Sequence, residues 1–198
     1  KHDGPKWTGT INKLIVGFDY TITGHAYKCT DCPEESYTPV FDNYTVTTLA
    51  GQAGVTGSTN GQGTAARFNK SWSVAVDSSG NVYVADRDNH MIRKIDSSGN
   101  VTTLAGSGSA GSTNGQGTAA KFYNPLGVAV DSFGNIYVAD QLNHLIRKID
   151  SSGNVTTLAG TGTSGGGTDA SFNMPTDVAV DSLGNVYVGD TSNHLIRK

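Results

Sequence analysis

An aspartate and a histidine four residues apart recur three times in the sequence, as ADRDNH, ADQLNH and GDTSNH. The pairs are Asp86 with His90, Asp140 with His144, and Asp190 with His194. A carboxylate and an imidazole at this spacing can perform acid–base catalysis or bind a metal ion. They can also form a hydrogen-bonded clasp between the two strands that flank them. An active site is normally single whereas a folding requirement recurs, so the recurrence favours the clasp.

A second recurring carboxylate closes the short β-branched run VAVD, at Asp77, Asp131 and Asp181. A ring of such carboxylates near an axis could bind Ca²⁺. The pattern Asp-Ser-x-Gly-Asn is also typical of a tight turn capped by its own aspartate. We expect the turn cap, with Ca²⁺ as the weaker alternative and no other cofactor.

The repeated arginines Arg93, Arg147 and Arg197 are each followed by lysine, and we predict surface ion pairs for them. The sequence has no recognisable GxSxG nucleophile elbow, since its match GTSGG at 162–166 lies in a glycine-rich spacer loop, and no GK[ST] follows a glycine-rich loop. The net charge of −3 and pI of about 5.9 argue against nucleic-acid binding. No apolar run approaches the roughly 18 residues of a membrane-spanning helix.

The only cysteines, Cys29 and Cys32, form a CxxC that is followed directly by proline and lies outside any βαβ pattern. We expect a small structural disulfide, with reduced thiols, a metal or a redox role as alternatives. Acceptor sequences for N-glycosylation occur at Asn43, Asn69, Asn100 and Asn154. Together these features favour a secreted or cell-surface protein.

The elements that position the repeated residues are short strands. Each copy runs VAVD, NVYVAD, HMIRKID and VTTLAG, separated by SSGN-type turns, and these segments predict four antiparallel strands a to d. Four-stranded units at this spacing are typical of β-propeller blades, so we predict an all-β propeller. The predicted parts are an N-terminal segment 1–44, an orphan strand d at 45–51, blade one at 73–106, blade two at 127–160, and an incomplete blade three at 177–198.

One phenylalanine precedes each strand a at a fixed distance, at Phe68, Phe122 and Phe172, and we predict that these rings fill the gaps between blades. The order GVAVDxxGNxYVADxxNHxIRKI resembles the NHL-repeat family over roughly residues 45–198. The resemblance implies a propeller, commonly of six blades. It also implies relatives that are metal-dependent amidating lyases, and others that bind RNA or proteins. Ser71 departs from the pattern where the later copies have Pro125 and Pro175, and Gly189 replaces Ala139.

Residues 11–23, INKLIVGFDYTIT, alternate in polarity and predict one long strand without a hairpin partner in its own segment. Its apolar face is Leu14, Val16, Phe18, Tyr20 and Ile22. We expect it either to pack along the rim of the propeller or to add to the sheet of a neighbouring subunit.

The orphan copy VTTLA at 46–50 stands one unit too early, while the last repeat has no strand d before Lys198. We expect Val46, Thr47, Thr48 and Leu49 to complete blade three of another copy, as a closed six-bladed dimer or an open helical filament. The expected function is a non-catalytic extracellular scaffold whose partner is itself, with other extracellular proteins or glycans as further partners. The alternatives are a propeller enzyme of lyase or lactonase type, and a monomeric ligand-binding fragment of a longer NHL propeller.

Overall fold

The computed structural model of the chain describes residues 6–12, 21–27, 46–166 and 170–198. The chain divides into two compact units, Lys1–Val46 and Thr47–Lys198. The described residues form strands and short 3-10 turns, with no α-helix among them. None of the 3-10 helices among the described residues has the length and apolar character needed to cross a membrane.

The first unit contains a hairpin instead of the predicted single strand at 11–23. Strand β1 (Lys6–Asn12) pairs antiparallel with β2 (Thr21–Tyr27), so that Ile11 lies opposite Ile22. The prediction was wrong because alternating polarity indicates which side chains share a face of a strand, but it does not indicate where the strand begins or ends. Two β-prone segments separated by a short connection pair at a low entropic cost. The other predicted apolar positions, Leu14, Val16, Phe18 and Tyr20, lie outside the described residues, as do Cys29, Cys32 and Asn43.

The second unit consists of three antiparallel sheets, one for each repeat, which confirms the all-β propeller class. Blade one contains β3 (Gly61–Gln62), β4 (Ser71–Val76), β5 (Val82–Asp86), β6 (Met91–Ile95) and β7 (Asn100–Ala105). Blade two contains β8 (Gly115–Gln116), β9 (Pro125–Val130), β10 (Ile136–Asp140), β11 (Leu145–Ile149) and β12 (Asn154–Ala159). Blade three contains β13 (Pro175–Val180), β14 (Val186–Asp190) and β15 (Leu195–Arg197).

The order of strands in blade one is β3-β7-β6-β5-β4, and blade two repeats it. Strands a to d are therefore neighbours in sequence order, and a two-residue strand that the sequence did not predict lies beyond strand d. Gly61 pairs with Val101 there, and Gly115 pairs with Val155. Among the described residues blade three has only strands a, b and c, in the order β13-β14-β15.

Each blade has two apolar faces because its strands alternate. In β5, Val82 and Val84 point to one face, while Tyr83 and Ala85 point to the other. We call the first the leading face, toward the preceding blade, and the second the trailing face, toward the following blade. The trailing face of one blade packs on the leading face of the next, so the core of this unit lies between blades.

Two of the three predicted phenylalanines fill these gaps. Phe122 is fully buried between the trailing face of blade one and the leading face of blade two. Phe172 is 6% exposed in the equivalent gap between blades two and three. Phe68 is half-buried, and it packs on the leading face of blade one together with Ala66 and Val84.

Candidate functional site

The repeated aspartate lies at the centre of a buried clasp, but its partner is arginine and not the predicted histidine. In blade one, Asp86 Oδ2 accepts from Arg93 Nη1 at 2.8 Å and from Asn89 Nδ2 at 2.8 Å. Asp86 Oδ1 accepts from the backbone N–H of Asn69 at 2.8 Å. Blade two has the same set on Asp140, from Arg147 at 2.9 Å, Asn143 at 2.7 Å and the Tyr123 N–H at 2.7 Å.

The arginine of the clasp is fully buried, which corrects the prediction of surface ion pairs. Arg93 has 0% exposure, and its guanidinium lies 5.2 Å from the centroid of the Phe68 ring. Its second terminal nitrogen donates to the Thr59 carbonyl at 3.1 Å and to Asn60 Oδ1 at 2.7 Å. A guanidinium tolerates burial when its fixed fork of donors meets this many acceptors. The sequence signal was Arg recurring at one position of a strand between isoleucines.

The clasp of blade three is partly open. Arg197 lies 3.3 Å from Asp190, and its side chain is 23% exposed, against 0% for Arg93 and Arg147. Asn193 still donates to Asp190 at 2.8 Å. Blade three lacks a described strand d, which in the other blades covers this position.

The repeated histidine connects one blade to the next. His90 ends a 3-10 turn in the left-handed conformation, with φ 56°, and its Nδ1 accepts from the Asn124 N–H of blade two at 3.2 Å. His144 accepts from the Met174 N–H of blade three at 3.1 Å. Desolvation lowers the pKa of His90, although Asp88 opposes the shift, so the neutral ring that can accept this bond is favoured.

The carboxylates at the ends of the strands a cap their own turns, as predicted. Asp77 Oδ1 accepts from the backbone N–H groups of Ser79 and Asn81, each at 2.9 Å, and Oδ2 accepts from Asn81 Nδ2 at 2.8 Å and the Tyr83 hydroxyl at 3.0 Å. Although desolvation raises it, these hydrogen bonds hold the pKa of Asp77 below its usual value. The same network surrounds Asp131 and Asp181. The described residues contain no group of three or more His, Cys, Asp or Glu side chains placed to bind a metal ion.

Two of the glycosylation candidates lie on exposed turns. Asn100 and Asn154 begin the strands d of blades one and two and are exposed, and their Nδ2 atoms donate to Asp96 and Asp150 at 3.0 Å. Asn69 is half-buried. Glycosylation and the secreted location inferred with it stay predictions, which the intact mass of the native protein checks.

The orphan segment holds the place of a strand d that belongs to a blade before blade one. Its end lies against blade one: the Gly51 N–H donates to the Gly63 carbonyl at 3.1 Å, just as the Gly106 N–H donates to the Gly117 carbonyl at 3.2 Å. Its beginning forms no strand, and Val46 is 96% exposed. Among the described residues, no strand c accompanies it.

The second unit has two faces with exposed apolar side chains, the leading face of blade one and the trailing face of blade three, which we call the open faces. On the leading face of blade one, Trp72 and Val74 are each 61% exposed, whereas their counterparts Leu126 and Val128 in blade two are 2% and 5% exposed. On the trailing face of blade three, Ile196 is 81% exposed, whereas its counterpart Ile146 is 1% exposed. At these positions the two faces are thus unburied versions of surfaces that are mated inside the unit, although Val84, Ile95 and Val101 on the leading face of blade one are buried.

Ser71, in the place of the two prolines, does not change the path of the chain. The residue before it, Lys70, has φ 53°, and its counterparts Asn124 and Met174 both have φ 52°. The register of β4 against β5 also shifts at the same point as in the other blades. Trp72, beside Ser71, is stacked 5.7 Å from the Arg87 guanidinium.

Comparison with known proteins agrees with this geometry. The family model of the NHL repeat matches residues 68–95, 122–149 and 172–198. The chain is 42% identical over 91 residues to NHL repeat-containing protein 2 of Gallus gallus, covering 45% of this chain and 12% of that protein. It is 43% identical over 72 residues to the chloroplastic protein SUPPRESSOR OF QUENCHING 1 of Arabidopsis thaliana, covering 36% of this chain and 7% of that protein. The chain therefore spans a small part of the length of these relatives.

A solved structure with the same fold is an auxiliary nutrient binding protein from Bacteroides thetaiotaomicron. It superposes with a TM-score of 0.55 at 25% identity, over 62% of this chain and 35% of that one. Each of the three matched segments runs from the phenylalanine that precedes strand a through strands a, b and c. Each segment contains its own Asp–Arg clasp. Residues 68–95, 122–149 and 172–198 are accordingly three repeats of the NHL family.

Proposed function

We propose that this chain is a non-catalytic propeller scaffold that associates head to tail with further copies of itself. The orphan strand VTTLA of one copy completes blade three of the next, and the leading face of blade one stacks on the trailing face of blade three. The observation that carries this proposal is that both open faces match faces that are mated inside the unit. A partner blade of the same kind fits both.

The internal blades give the register of the exchanged strand. In blade two, Ile146 lies opposite Ala159, and Lys148 lies opposite Thr156. The repeat places Ile196 opposite Ala50 and Lys198 opposite Thr47 in the same way. The orphan strand thereby runs antiparallel to β15 and supplies the strand d that blade three lacks among the described residues.

Burial of apolar side chains drives the association. Val101 and Val155, the counterparts of Val46, are each 1% exposed, so Val46 passes from 96% exposed to buried when the strand docks. Complete burial of a valine side chain contributes about 1.5–3 kcal/mol. Trp72, Val74 and Ile196 add to this when the two faces meet.

The experiment compares Val46→Asp with Thr47→Asp by sedimentation velocity at micromolar concentration. Aspartate at 46 is exposed in the separate chain but buried at the joint, so we expect this variant to remain monomeric. Thr102 and Thr156, the counterparts of Thr47, are exposed even within complete blades, so Thr47→Asp should associate as the unaltered chain does. A monomeric unaltered chain would reject the proposal and would leave further blades or another protein to cover the two faces.

A further inference from the structure

Neighbouring blades are joined by a hydrogen bond as well as by apolar contacts, and the groups that form this bond are also present on the two open faces. At both internal joints, a histidine Nδ1 accepts the N–H of the residue that precedes strand a in the next blade. The distances are 3.2 Å from Asn124 to His90 and 3.1 Å from Met174 to His144. This bond ties a side chain at the end of the b–c turn to the backbone of the following blade.

Both halves of the same bond are present, unjoined, at the two ends of the unit. His194 ends its turn with φ 58°, the conformation of His90 and His144, and is exposed, whereas the other two are half-buried. Lys70 occupies the donor position with φ 53°. Within the part of the chain that the structure describes, neither the His194 ring nor the Lys70 N–H has a hydrogen-bond partner.

The glycine that follows each strand d shows that there is room for the histidine. A Cβ on Gly106 would lie 2.5 Å from the carbonyl oxygen of His90, because the two backbones touch there. Gly51, after the orphan strand, has φ 95°, close to the 101° of Gly106, but a Cβ on it would meet only the Phe68 ring at 3.3 Å. The space that the backbone of His90 occupies beside Gly106 is thus open beside Gly51.

We propose that His194 of one copy accepts the Lys70 N–H of the next copy, and that this bond fixes the register of the joint and makes it sensitive to acid. The proposal rests on the head-to-tail association described above and names the contact that positions it. Only a neutral imidazole has an Nδ1 lone pair to offer, so protonation removes the bond and places a cation in the joint.

The turn that ends at His194 carries no carboxylate, unlike the turn that ends at His90. His90 has Asp88 on its turn, and it contacts the Tyr123 ring of blade two edge-on at 5.6 Å. The turn of His194 has Ser192 in the place of Asp88. From the adjoining copy it would meet Lys70, whose ammonium is already paired with Asp88 at 2.7 Å, and Asn69 in the place of Tyr123.

The test compares His194→Gly with Ser192→Gly in the 198-residue chain. Glycine adopts the left-handed conformation of residue 194 freely, so the first variant removes the ring without backbone strain. Ser192→Gly adds similar backbone freedom in the same turn and keeps the ring. Association constants are measured by sedimentation equilibrium at pH 7.5 and pH 5.5, and the unfolding midpoint of the dilute monomer reports on the fold.

At pH 7.5 we expect His194→Gly to associate about threefold to tenfold more weakly than the unaltered chain, as for one net hydrogen bond. Ser192→Gly should follow the unaltered chain, and at pH 5.5 the unaltered chain should fall toward His194→Gly. Equal association of the unaltered chain and His194→Gly at both pH values overturns this contact and leaves the head-to-tail proposal standing. No association of the unaltered chain at pH 7.5 overturns both.

Discussion

At the scale of single residues, this fold depends on a charged pair that recurs in every blade and is fully buried in blades one and two. Arg147 and Asp140 are both 0% exposed and lie 2.9 Å apart. Burial raises the pKa of Asp140 to about 6, even though Asn143, the Tyr123 N–H and Arg147 oppose that shift. The carboxylate therefore depends on its donors to stay ionised within the core.

Replacing Arg147 by methionine should cost about 3–5 kcal/mol of unfolding free energy at pH 7.5, because an unpaired carboxylate remains buried. The pKa of Asp140 in the folded state then lies even further above its value in the unfolded chain. Its protonated form favours folding at low pH, and this stability is lost as the pH rises through the folded-state pKa. The loss should consequently be smaller at pH 5, as measured by urea unfolding of the dilute monomer.

Arg197→Met is the matched control for this substitution. The side chain of Arg197 is 23% exposed and its Nη1 lies 3.3 Å from Asp190 Oδ2, so water can compensate for its removal, and we expect a smaller loss. Equal losses at the two positions, or a loss at 147 that does not change with pH, would show that burial of the clasp is not what matters.

At the scale of elements, the blades are held together by what lies between them. The two internal gaps are closed by Phe122 and Phe172, and each ring also lies under the arginine of the clasp, at 5.3 Å and 5.5 Å. The same residue thus joins a blade to its neighbour and stabilises the charged centre of its own blade. Without this phenylalanine ring, both the contact between the blades and the packing of the clasp would be weakened.

Phe122→Ala should cost about 3–5 kcal/mol, because it opens a cavity between two mated faces. Phe68→Ala should cost less in the dilute monomer, about 1–2 kcal/mol, because that ring is half-buried and has one blade beside it. Urea unfolding at a concentration below association checks the difference. Similar losses for both rings would contradict the view that the core lies between blades.

The sequence was sufficient for the elements whose signals are local. The turn caps on Asp77 and its counterparts follow from side-chain chemistry within five residues, and so did the strands that they separate. The Asp86–His90 clasp was wrong because the choice between His90 and Arg93 as partner depends on which side chain turns inward. Burial of Arg93 could not be seen locally either, since its acceptors Thr59 and Asn60 lie more than thirty residues away.

At the scale of the whole molecule, one chain has the two faces that would meet in the proposed joint, and an orphan segment that belongs to none of its three described sheets. Val46, Trp72 and Ile196 are exposed on it, although each has counterparts that are buried within the unit. A heterologous joint of this type closes into a ring or continues as a filament according to its rotation. In either form of the proposed assembly, the same pairs of residues would meet at every joint.

The most direct measurement is a disulfide cross-link between two singly substituted chains. Thr47→Cys and Lys198→Cys are prepared separately, each in a chain whose Cys29 and Cys32 are replaced by serine, and are then mixed and oxidised. Because Thr156 lies opposite Lys148 in blade two, we expect a dimer whose linking peptide joins positions 47 and 198, identified by mass spectrometry. Each chain has only one of the two introduced cysteines, so the link between positions 47 and 198 forms only between copies. Absence of this peptide at concentrations where the chains associate would contradict the exchange of the orphan strand.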